Sequence, residues 1–350
     1  MDKIIIFKSD MLGDLINFSP CLKIIKDNNK DVHITLICSE YNYQIAKNYH
    51  QVDKFIIFKK KNFLFNILKN FKTLFLTKYK HLLQFDGKNS SYLISYFINS
   101  KIKSTICFIK HKKILSINYQ LARPPKILLN LFYKNFIFCN ENYATKDKEK
   151  NTTHYQTNYF NILKKLNFRI TDKKNLFFLD KLYEKKYDLF YKKYINKNFC
   201  IFHFDEKWNN LMLSDYENSL KIINKLSKKF KVIITTGIKR FIFLKDLNEK
   251  FFTFYFAKNE FFIERASSNN NVILVKDLPL NLLAYFIKNS ELNVSFHSGP
   301  IVHISPIYDK KIIDLMPRKK NKELDRWIPL HSKYQRINFE DLSEDVIKNI

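Results

Sequence analysis

The stretch MDKIIIFKSDMLGDLINFSP, residues 1–20, contains the pattern that is most informative about the fold. A run of apolar residues ends at Lys8, and a glycine and a carboxylate, Gly13 and Asp14, follow it closely. An apolar segment with the character of a helix begins directly after them. A short buried strand, a polar loop and a helix in this order predict the first βα unit of a parallel sheet.

Short apolar runs alternate with longer amphipathic segments along most of the chain. The predicted strands are Lys3–Lys8, Val32–Cys38, Lys54–Phe58, His81–Phe85, Thr105–Ile109, Phe199–Phe204, Lys231–Thr235, Val272–Val275, Leu292–Phe296 and Lys311–Leu315. The predicted helices include Leu15–Lys26, Leu64–Leu76, Tyr92–Asn99, Tyr155–Leu166 and Leu182–Tyr194. The stretch Lys110–Thr153, which contains Pro124 and Pro125, is expected to be rich in loops. Strands that alternate with helices predict parallel sheets, here in two series.

The length of the chain indicates two domains. With 350 residues and a mass of 42.3 kDa, it exceeds what a single hydrophobic core usually supports. The interval between the two series of strands places the boundary near residues 181–198, which we interpret as a linker helix. We therefore predict an N-terminal α/β domain over residues 1–180 and a C-terminal α/β domain over residues 199–350.

Composition limits the class of protein. The hydrophobic fraction of 46% supports a folded chain, and no apolar run resembles a signal peptide or a membrane span. The five cysteines show no CxxC spacing, so we expect buried thiols in a cytoplasmic protein. The net charge of +28 indicates attraction to a polyanion, namely a phosphorylated glycolipid, an anionic membrane surface or nucleic acid. The alternative is that much of the lysine excess is compositional drift on solvated surfaces.

The four glycines, Gly13, Gly87, Gly237 and Gly299, each follow a predicted strand. Ligands of open parallel sheets bind outside the carboxyl ends of the strands, where glycine permits close approach of the backbone. The alternative is that these glycines only form turns. We expect Gly13 to turn the chain over the edge of the sheet and to leave Asp14 at the start of a helix, where the helix dipole favours a carboxylate.

FKSDMLGDLINFSP resembles the opening strand, loop and helix of the heptosyltransferase-like glycosyltransferases, glycosyltransferase family 9. Further resemblances follow in order along the chain: HLLQFDGKNSSYLISYFINS, KVIITTGIKR, LPLNLLAYFIKNSELNVSFHSGPIVHIS and RWIPLHSKYQRIN. The family implies the GT-B architecture, in which two Rossmann-like domains face a cleft. It also implies an inverting transfer, without a metal, from a nucleotide sugar that carries heptose or a related sugar. The acceptor would be a lipopolysaccharide core or another surface glycan, bound by the N-terminal domain at the cytoplasmic face of the inner membrane.

The resemblance assigns the general base to Asp14, which would take the proton of the acceptor hydroxyl. The same loop, which we interpret as the active-site loop, contains Ser9, Asp10 and Gly13. Asp10 is the alternative base, although capping or orienting the loop is its more ordinary role. The alternative for Asp14 is that of a helix N-cap.

The second domain is expected to bind the donor. Cations or backbone amides are needed there to stabilise the negative charge of the nucleoside diphosphate. The candidate residues for the donor and its phosphates are Lys207, Thr236, Gly237, His297, Ser298, Gly299, Pro300 and His303. No DxD motif or His/Cys/Asp cluster is present, so we expect neither a metal nor a cofactor. His297 stands where the family has Asp, which suggests either a cationic partner for the diphosphate or a simple polar substitution. His303 lies one residue too far along, and residues 238–243 lack an acidic partner for the ribose.

Two alternatives to an active transferase stay open: an inactive relative, or a protein that binds nucleic acid or another polyanion. The aromatic residues recur at the spacing of core positions and are not interleaved with exposed basic residues. This pattern argues against a nucleic-acid partner. Apolar residues also recur at helical spacing within Leu64–Leu76, among Lys69, Lys72, Lys78 and Lys80. Packing against the sheet is the ordinary interpretation of this helix. We also expect its lysines to assist peripheral docking on an anionic membrane.

Overall fold

The computed structural model describes residues 1–59, 63–114, 117–140, 155–210, 212–237, 241–267, 270–318, 324–329 and 331–342. The chain divides into two compact units. The first unit comprises Met1–Phe178 and Asp325–Trp327, and the second comprises Leu179–Leu324 and Ile328–Ile350.

Within the described residues, the first unit contains a sheet of seven strands. The strands are β1 (Lys3–Phe7), β2 (His33–Ser39), β3 (Lys54–Phe58), β4 (Tyr79–Gln84), β5 (Ser100–Ile114), β6 (Ile117–Arg123) and β7 (Asn135–Asn140). Their order is β3-β2-β1-β4-β5-β6, and β7 also pairs with β5. All pairs are parallel except β5 with β6. In this register Ile5 of β1 lies between Thr35 and Leu82, so that β1 and its neighbours form the buried centre of the sheet.

Helices cover both faces of this sheet. The helices are α1 (Leu12–Asn28), α2 (Glu40–Ala46), α3 (Phe63–Lys69), α4 (Asn89–Phe97), α5 (Lys126–Phe132) and α6 (Tyr155–Lys165), with a π-helical segment, Lys72–Leu76, after α3. The inner sides of α3, the π-helical segment, α4 and α5 share one apolar core with the sheet. The helices α1 and α6 contact each other through Phe18 and Tyr159, whose rings lie edge to face at 5.4 Å.

The second unit contains an eight-stranded sheet among its described residues. The strands are β8 (Phe199–Phe204), β9 (Lys231–Thr236), β10 (Phe252–Ala257), β11 (Glu260–Arg265), β12 (Val272–Lys276), β13 (Leu292–Ser295), β14 (Lys311–Met316) and β15 (Tyr334–Asn338). The order is β11-β10-β12-β9-β8-β13-β14-β15, and only the pair β10–β11 is antiparallel. The helices are α7 (Glu184–Phe190), α8 (Leu213–Leu226), α9 (Leu244–Lys250), α10 (Leu280–Asn289) and α11 (Gly299–Ile304).

All ten predicted strands are present, with ends that differ by a few residues except at β5, which extends well beyond Thr105–Ile109. The prediction of loops over Lys110–Thr153 was wrong for its described part, which contains the end of β5, the strands β6 and β7, and α5. The prediction ended β5 at Ile109 because the KHKK sequence that follows contains no apolar residues that could alternate with the lysines. Residues 141–154 lie outside the described residues.

Two predicted helices are divided. Leu64–Leu76 consists of α3 and the π-helical segment, and Leu182–Tyr194 consists of a 3₁₀ turn, α7 and a second π-helical segment, Tyr191–Ile195. This second stretch packs on α10, where the ring of Tyr187 contacts Tyr285 and Phe286. Residues 181–198, predicted as a linker, thus begin with helices that belong to the second unit.

The five cysteines are all buried and form no disulfide. Burial raises the pKa of Cys107 to about 11 and that of Cys200 to about 12. Across the described ranges, no helix is both long enough and apolar enough to cross a bilayer.

Candidate active site

The topology of each sheet defines one place where a ligand is expected to bind. In the first sheet the chain runs from β1 to β2 and β3 on one side, and then returns to β4 on the other side of β1. In the second sheet it runs from β8 towards β9, and later reaches β13 on the opposite side of β8. Ligands of open parallel sheets bind outside the carboxyl ends of the strands at such reversals of strand order. The reversal lies between β1 and β4 in the first sheet (the β1/β4 reversal) and between β8 and β13 in the second (the β8/β13 reversal).

Hydrogen bonds connect the two loops at the β1/β4 reversal. The Ser9 hydroxyl donates to a carboxylate oxygen of Asp86 at 2.5 Å, and the Ser91 hydroxyl donates to the same oxygen at 2.7 Å. The side-chain amide of Gln84 donates to the other Asp86 oxygen at 2.8 Å. Asp86 is buried. The loop after β1 is therefore fixed to the loop after β4 by a carboxylate whose two oxygens are both satisfied.

A buried lysine, Lys8, forms hydrogen bonds that hold the loop after β1. The ammonium group of Lys8, which has no exposed surface, donates to Asp10 at 2.6 Å and to the Tyr159 hydroxyl at 2.7 Å. Burial raises the pKa of Asp10 to about 7, although the Lys8 charge acts in the opposite direction and Asp14 adds to the rise. The other oxygen of Asp10, Oδ1, is buried without a hydrogen-bond partner in the described part of the chain. Burial and the Asp14 charge thus favour the protonated form of Asp10, and the Lys8 charge favours the ionised form.

Asp14 lies half-buried in the first turn of α1, where its charge acts on Asp10. The N-cap residue of α1 is Met11, so Asp14 is the third residue of the helix and not its cap. The prediction that Gly13 turns the chain over the edge of the sheet was wrong, since Gly13 is part of the first helical turn. Gly87, after β4, has the left-handed φ of +63° that glycine tolerates best.

A cavity of about 810 Å³ opens beside this loop, at the carboxyl ends of β1, β2, β3 and β4. Of the predicted residues, Ser9 and Asp10 line it, whereas Gly13 and Asp14 are not among its lining residues. Lys59 and Lys88 bring positive charge to its wall, and Glu40 forms an ion pair with Lys59 at 3.1 Å. The cavity is large enough for a sugar-sized ligand.

In the second unit, the predicted donor residues follow three adjacent strands, β9, β8 and β13. The Gly237 amide, directly after Thr236, donates to the Phe204 carbonyl at 2.8 Å, which holds the ends of β9 and β8 together. Across the β8/β13 reversal, the Lys207 ammonium donates to the backbone carbonyl of His297. Lys207 also lies 4.0 Å from Asp205 and keeps 40% of its side chain exposed. The structure therefore brings Lys207 and His297 together, with Thr236 and Gly237 on the neighbouring strand.

His297 has a partner that the sequence analysis did not identify. Its ring Nδ1 lies 2.6 Å from Asp314 on β14, and its backbone amide donates to the other oxygen of the same carboxylate. The Tyr334 hydroxyl donates to Asp314 at 2.8 Å, and burial together with the nearby carboxylate raises the pKa of Tyr334. His297 adopts φ +44°, a conformation that costs a residue with a side chain about 1–2 kcal/mol. The histidine charge proposed for the diphosphate would therefore face a carboxylate.

The remaining candidates lie immediately after His297. Ser298, whose buried hydroxyl has no partner among the described residues, is the N-cap of α11, which begins with Gly299 and Pro300. His303 is buried in the last turn of this helix. No three His, Cys, Asp or Glu side chains in the described ranges come close enough to hold a metal ion. Residues 238–240 of the segment expected to lack an acidic ribose partner lie outside the described residues.

Sequence reasoning missed several residues of these networks, among them Lys8, Asp86 and Asp314. Asp86 was visible in HLLQFDG, where a carboxylate follows a strand at the same edge as Ser9. Asp314 lies inside the apolar run KIIDLM, and a charged residue within a buried strand needs a partner. Lys8 marked the end of a strand, but nothing in the sequence shows that its ammonium group turns inward.

Comparisons with known proteins identify the same architecture. No protein-family model matches the chain, and no curated protein matches its sequence. Among solved structures, it is similar to a family 9 glycosyl transferase from Veillonella parvula, with a TM-score of 0.68, 14% identity and coverage of 97% of this chain and 86% of that one.

Two heptosyltransferases of E. coli are also similar. ADP-heptose LPS heptosyltransferase II gives a TM-score of 0.64 at 11% identity, with coverage of 96% and 90%. Heptosyltransferase WaaC, solved with ADP, gives a TM-score of 0.63 at 13% identity, with coverage of 99% and 98%. The chain therefore has the GT-B fold of the family 9 glycosyltransferases, which confirms the fold predicted from the residue pattern.

Proposed function

We propose that the protein is a glycosyltransferase of family 9 that transfers heptose or a related sugar from a nucleotide sugar. The acceptor is a lipopolysaccharide core or another surface glycan at the cytoplasmic face of the inner membrane. The observation that carries the proposal is the similarity of nearly the whole chain to family 9 and heptosyltransferase structures. Since one fold serves many activities, the residues at the two strand reversals supply the chemical argument.

The first unit supplies the base. In an inverting transfer, the acceptor oxygen attacks the anomeric carbon while the bond from that carbon to the diphosphate oxygen breaks. The acceptor proton passes to a carboxylate, which we assign to Asp14, with Asp10 as the alternative beside it. The ion pair of the buried Lys8 with the partly exposed Asp10, together with the Ser9–Asp86 bond, holds the loop that carries both carboxylates.

The second unit stabilises the leaving group. Negative charge develops on the diphosphate as the bond breaks, and fixed donors aimed at that charge lower the barrier. Lys207, the Ser298 hydroxyl and the amides at the start of α11 are the donors we assign to this role. Thr236 and Gly237 border the nucleotide in the same proposal, and no metal takes part.

A thermal-shift screen with nucleotide sugars tests the proposed class of substrate. A ligand that binds only the folded protein raises the free energy of unfolding by about 2.7 kcal/mol at a concentration of 100 Kd, which is a shift of several degrees. We expect a shift with one class of nucleotide sugar and none with oligonucleotides. The reverse pattern would favour the polyanion-binding alternative, and no shift with any nucleotide would favour an inactive relative.

Replacing Lys207 tests the diphosphate site. We expect Lys207→Ala to weaken nucleoside-diphosphate binding by about 1.5–3 kcal/mol, because a hydrogen bond to a charged group is lost. The free energy of unfolding should change little, since the side chain is substantially exposed. Isothermal titration calorimetry with the nucleotide found in the screen measures the change in Kd.

Lys228→Ala is the matched control, because Lys228 is an exposed lysine in the same unit that follows α8. It should leave the Kd unchanged. An unaltered Kd in Lys207→Ala as well would remove Lys207 from the site and leave it as a support for the His297 loop.

A further inference from the structure

The helices on one face of the first sheet expose apolar side chains on their outer sides as well as burying them on their inner sides. The exposed residues are Leu64, Phe65, Leu68, Phe71, Leu76, Leu93, Phe97, Ile127 and Leu131, each between 47% and 81% accessible. We call these nine side chains the apolar face. They belong to α3, α4, α5 and the π-helical segment after α3, apart from Phe71, which directly precedes that segment; all four elements pack on the same core.

The spacing within the apolar face is regular. Leu64 and Leu68 on α3, Leu93 and Phe97 on α4, and Ile127 and Leu131 on α5 are separated by four residues, which places each pair on one side of its helix. Single exposed apolar residues are normal on protein surfaces. Aligned pairs on three helices of one layer are not scattered, and a large exposed apolar patch marks an interaction surface.

The segments that carry the apolar face contain charged side chains of a single sign. Residues 63–80, 88–103 and 124–134 contain no aspartate or glutamate. The same segments carry exposed lysines that form no ion pair with a carboxylate among the described residues: Lys69, Lys72, Lys78, Lys101, Lys126 and Lys134. A soluble partner protein would have to be both apolar and acidic. An anionic bilayer combines these two properties by construction.

A pocket of about 250 Å³ lies at the rim of the apolar face. Leu131 lines it together with Lys101, Lys103 and Lys134. The Lys103 ammonium is partly buried and donates to the Tyr96 carbonyl at 2.6 Å, and burial lowers its pKa to about 8. An apolar side chain next to several ammonium groups matches the boundary between the acyl chains and the phosphates of a lipid layer.

We propose that the apolar face docks the first unit on an anionic membrane, with a lipid phosphate in the pocket formed by Lys101, Lys103 and Lys134. This inference goes beyond sugar transfer and does not depend on it. It also revises the interpretation of the predicted helix Leu64–Leu76, which packs on the sheet with one side and presents the membrane-docking surface with the other. The surface extends to α4 and α5, which the sequence did not connect with α3.

Co-sedimentation with lipid vesicles tests the proposal. We expect the full-length protein to bind vesicles that contain phosphatidylglycerol, to bind pure phosphatidylcholine vesicles much more weakly, and to lose affinity as the salt concentration rises. Leu68→Glu should lower the partition coefficient by about tenfold or more, because a leucine that the docked protein would bury in the bilayer is replaced by a charge of the wrong sign. Leu189→Glu is the control, since Leu189 on α7 of the second unit is equally exposed.

A second pair of variants isolates the charge. We expect Lys101→Ala/Lys134→Ala to lower binding to phosphatidylglycerol vesicles by about tenfold or more, from about fivefold for each lysine near an anionic surface. Lys228→Ala/Lys229→Ala, which removes two exposed lysines of the second unit, should change it far less. Circular dichroism verifies that each variant is folded.

Three results would overturn the proposal. One is equal binding to neutral and anionic vesicles, and another is binding that both Leu68→Glu and the Lys101/Lys134 variant leave unchanged. The third is a wild-type protein that ignores vesicles but forms dimers that Leu68→Glu dissociates, because the apolar face would then be covered by a second copy of the chain.

Discussion

Asp14→Asn is expected to lower the rate of sugar transfer by about 10²–10⁴, the contribution of a positioned general base. Donor binding and the fold should persist, because Asn is nearly the same shape and Asp14 is not the N-cap of α1. The lost charge at the helix N-terminus should cost only about 0.3–1 kcal/mol in the free energy of unfolding. The measurement is turnover at saturating donor, with the nucleotide sugar that the thermal-shift screen identifies.

Asp10→Asn separates the two carboxylates of the loop. Asp10 pairs with the buried Lys8, so its replacement should lower stability measurably while turnover falls less than in Asp14→Asn. Should Asp14→Asn retain more than about a tenth of the wild-type rate, the base is not Asp14. A rate loss of about 10²–10⁴ confined to Asp10→Asn would move the role to the carboxylate that lines the cavity and whose pKa is raised by burial.

Asp314→Ala is expected to lower the free energy of unfolding by about 3–5 kcal/mol, the usual cost of removing one partner from a buried charged network. Asp314 is fully buried and accepts hydrogen bonds from His297 and Tyr334. Without it, a backbone amide and a phenol hydroxyl lose their acceptor inside the protein, and the left-handed conformation of His297 loses the hydrogen bonds of both its amide and its ring. Urea unfolding followed by circular dichroism measures the change.

Glu249→Ala is the control for Asp314, because Glu249 forms an exposed ion pair with Lys245 on α9 at 3.9 Å. Such helix-surface pairs contribute about 0.2–0.5 kcal/mol. If Asp314→Ala costs less than about 1 kcal/mol, in the range of surface pairs, Asp314 does not hold the His297 loop.

The sequence predicted the fold well because its strands have a simple signature. Apolar runs such as Phe199–Phe204 are buried on both faces, and such strands need no alternation to be recognised. The antiparallel strand β11, with the sequence EFFIER, was not predicted, because it lies at an edge of the sheet and is largely exposed. The length of strand β5 was underestimated because its lysine-rich continuation lacks an apolar pattern, although it pairs antiparallel with β6.

The site was predicted less completely, for a physical reason. The sequence shows that Ser9, Asp14 and Lys207 follow strands, because a strand ends where its run of apolar residues ends. It does not show which side chains meet across a sheet, since that depends on the strand order. The contacts between Ser9 and Asp86, and between Lys207 and His297, span 77 and 90 residues and exist because β4 and β13 return beside the first strand of their sheets.

The buried cysteines allow local opening of the protein to be measured through the rate at which their thiols are alkylated. A thiol reacts with an alkylating reagent as the thiolate, and the raised pKa values of Cys107 and Cys200 make that species scarce in the closed state. Reaction at each site therefore waits for a local opening of its strand. Cys200 on β8 is the single cysteine of the second unit, whereas Cys107 on β5 is one of four in the first unit, so the rate at which Cys200 is alkylated records local opening in the second unit without any introduced label.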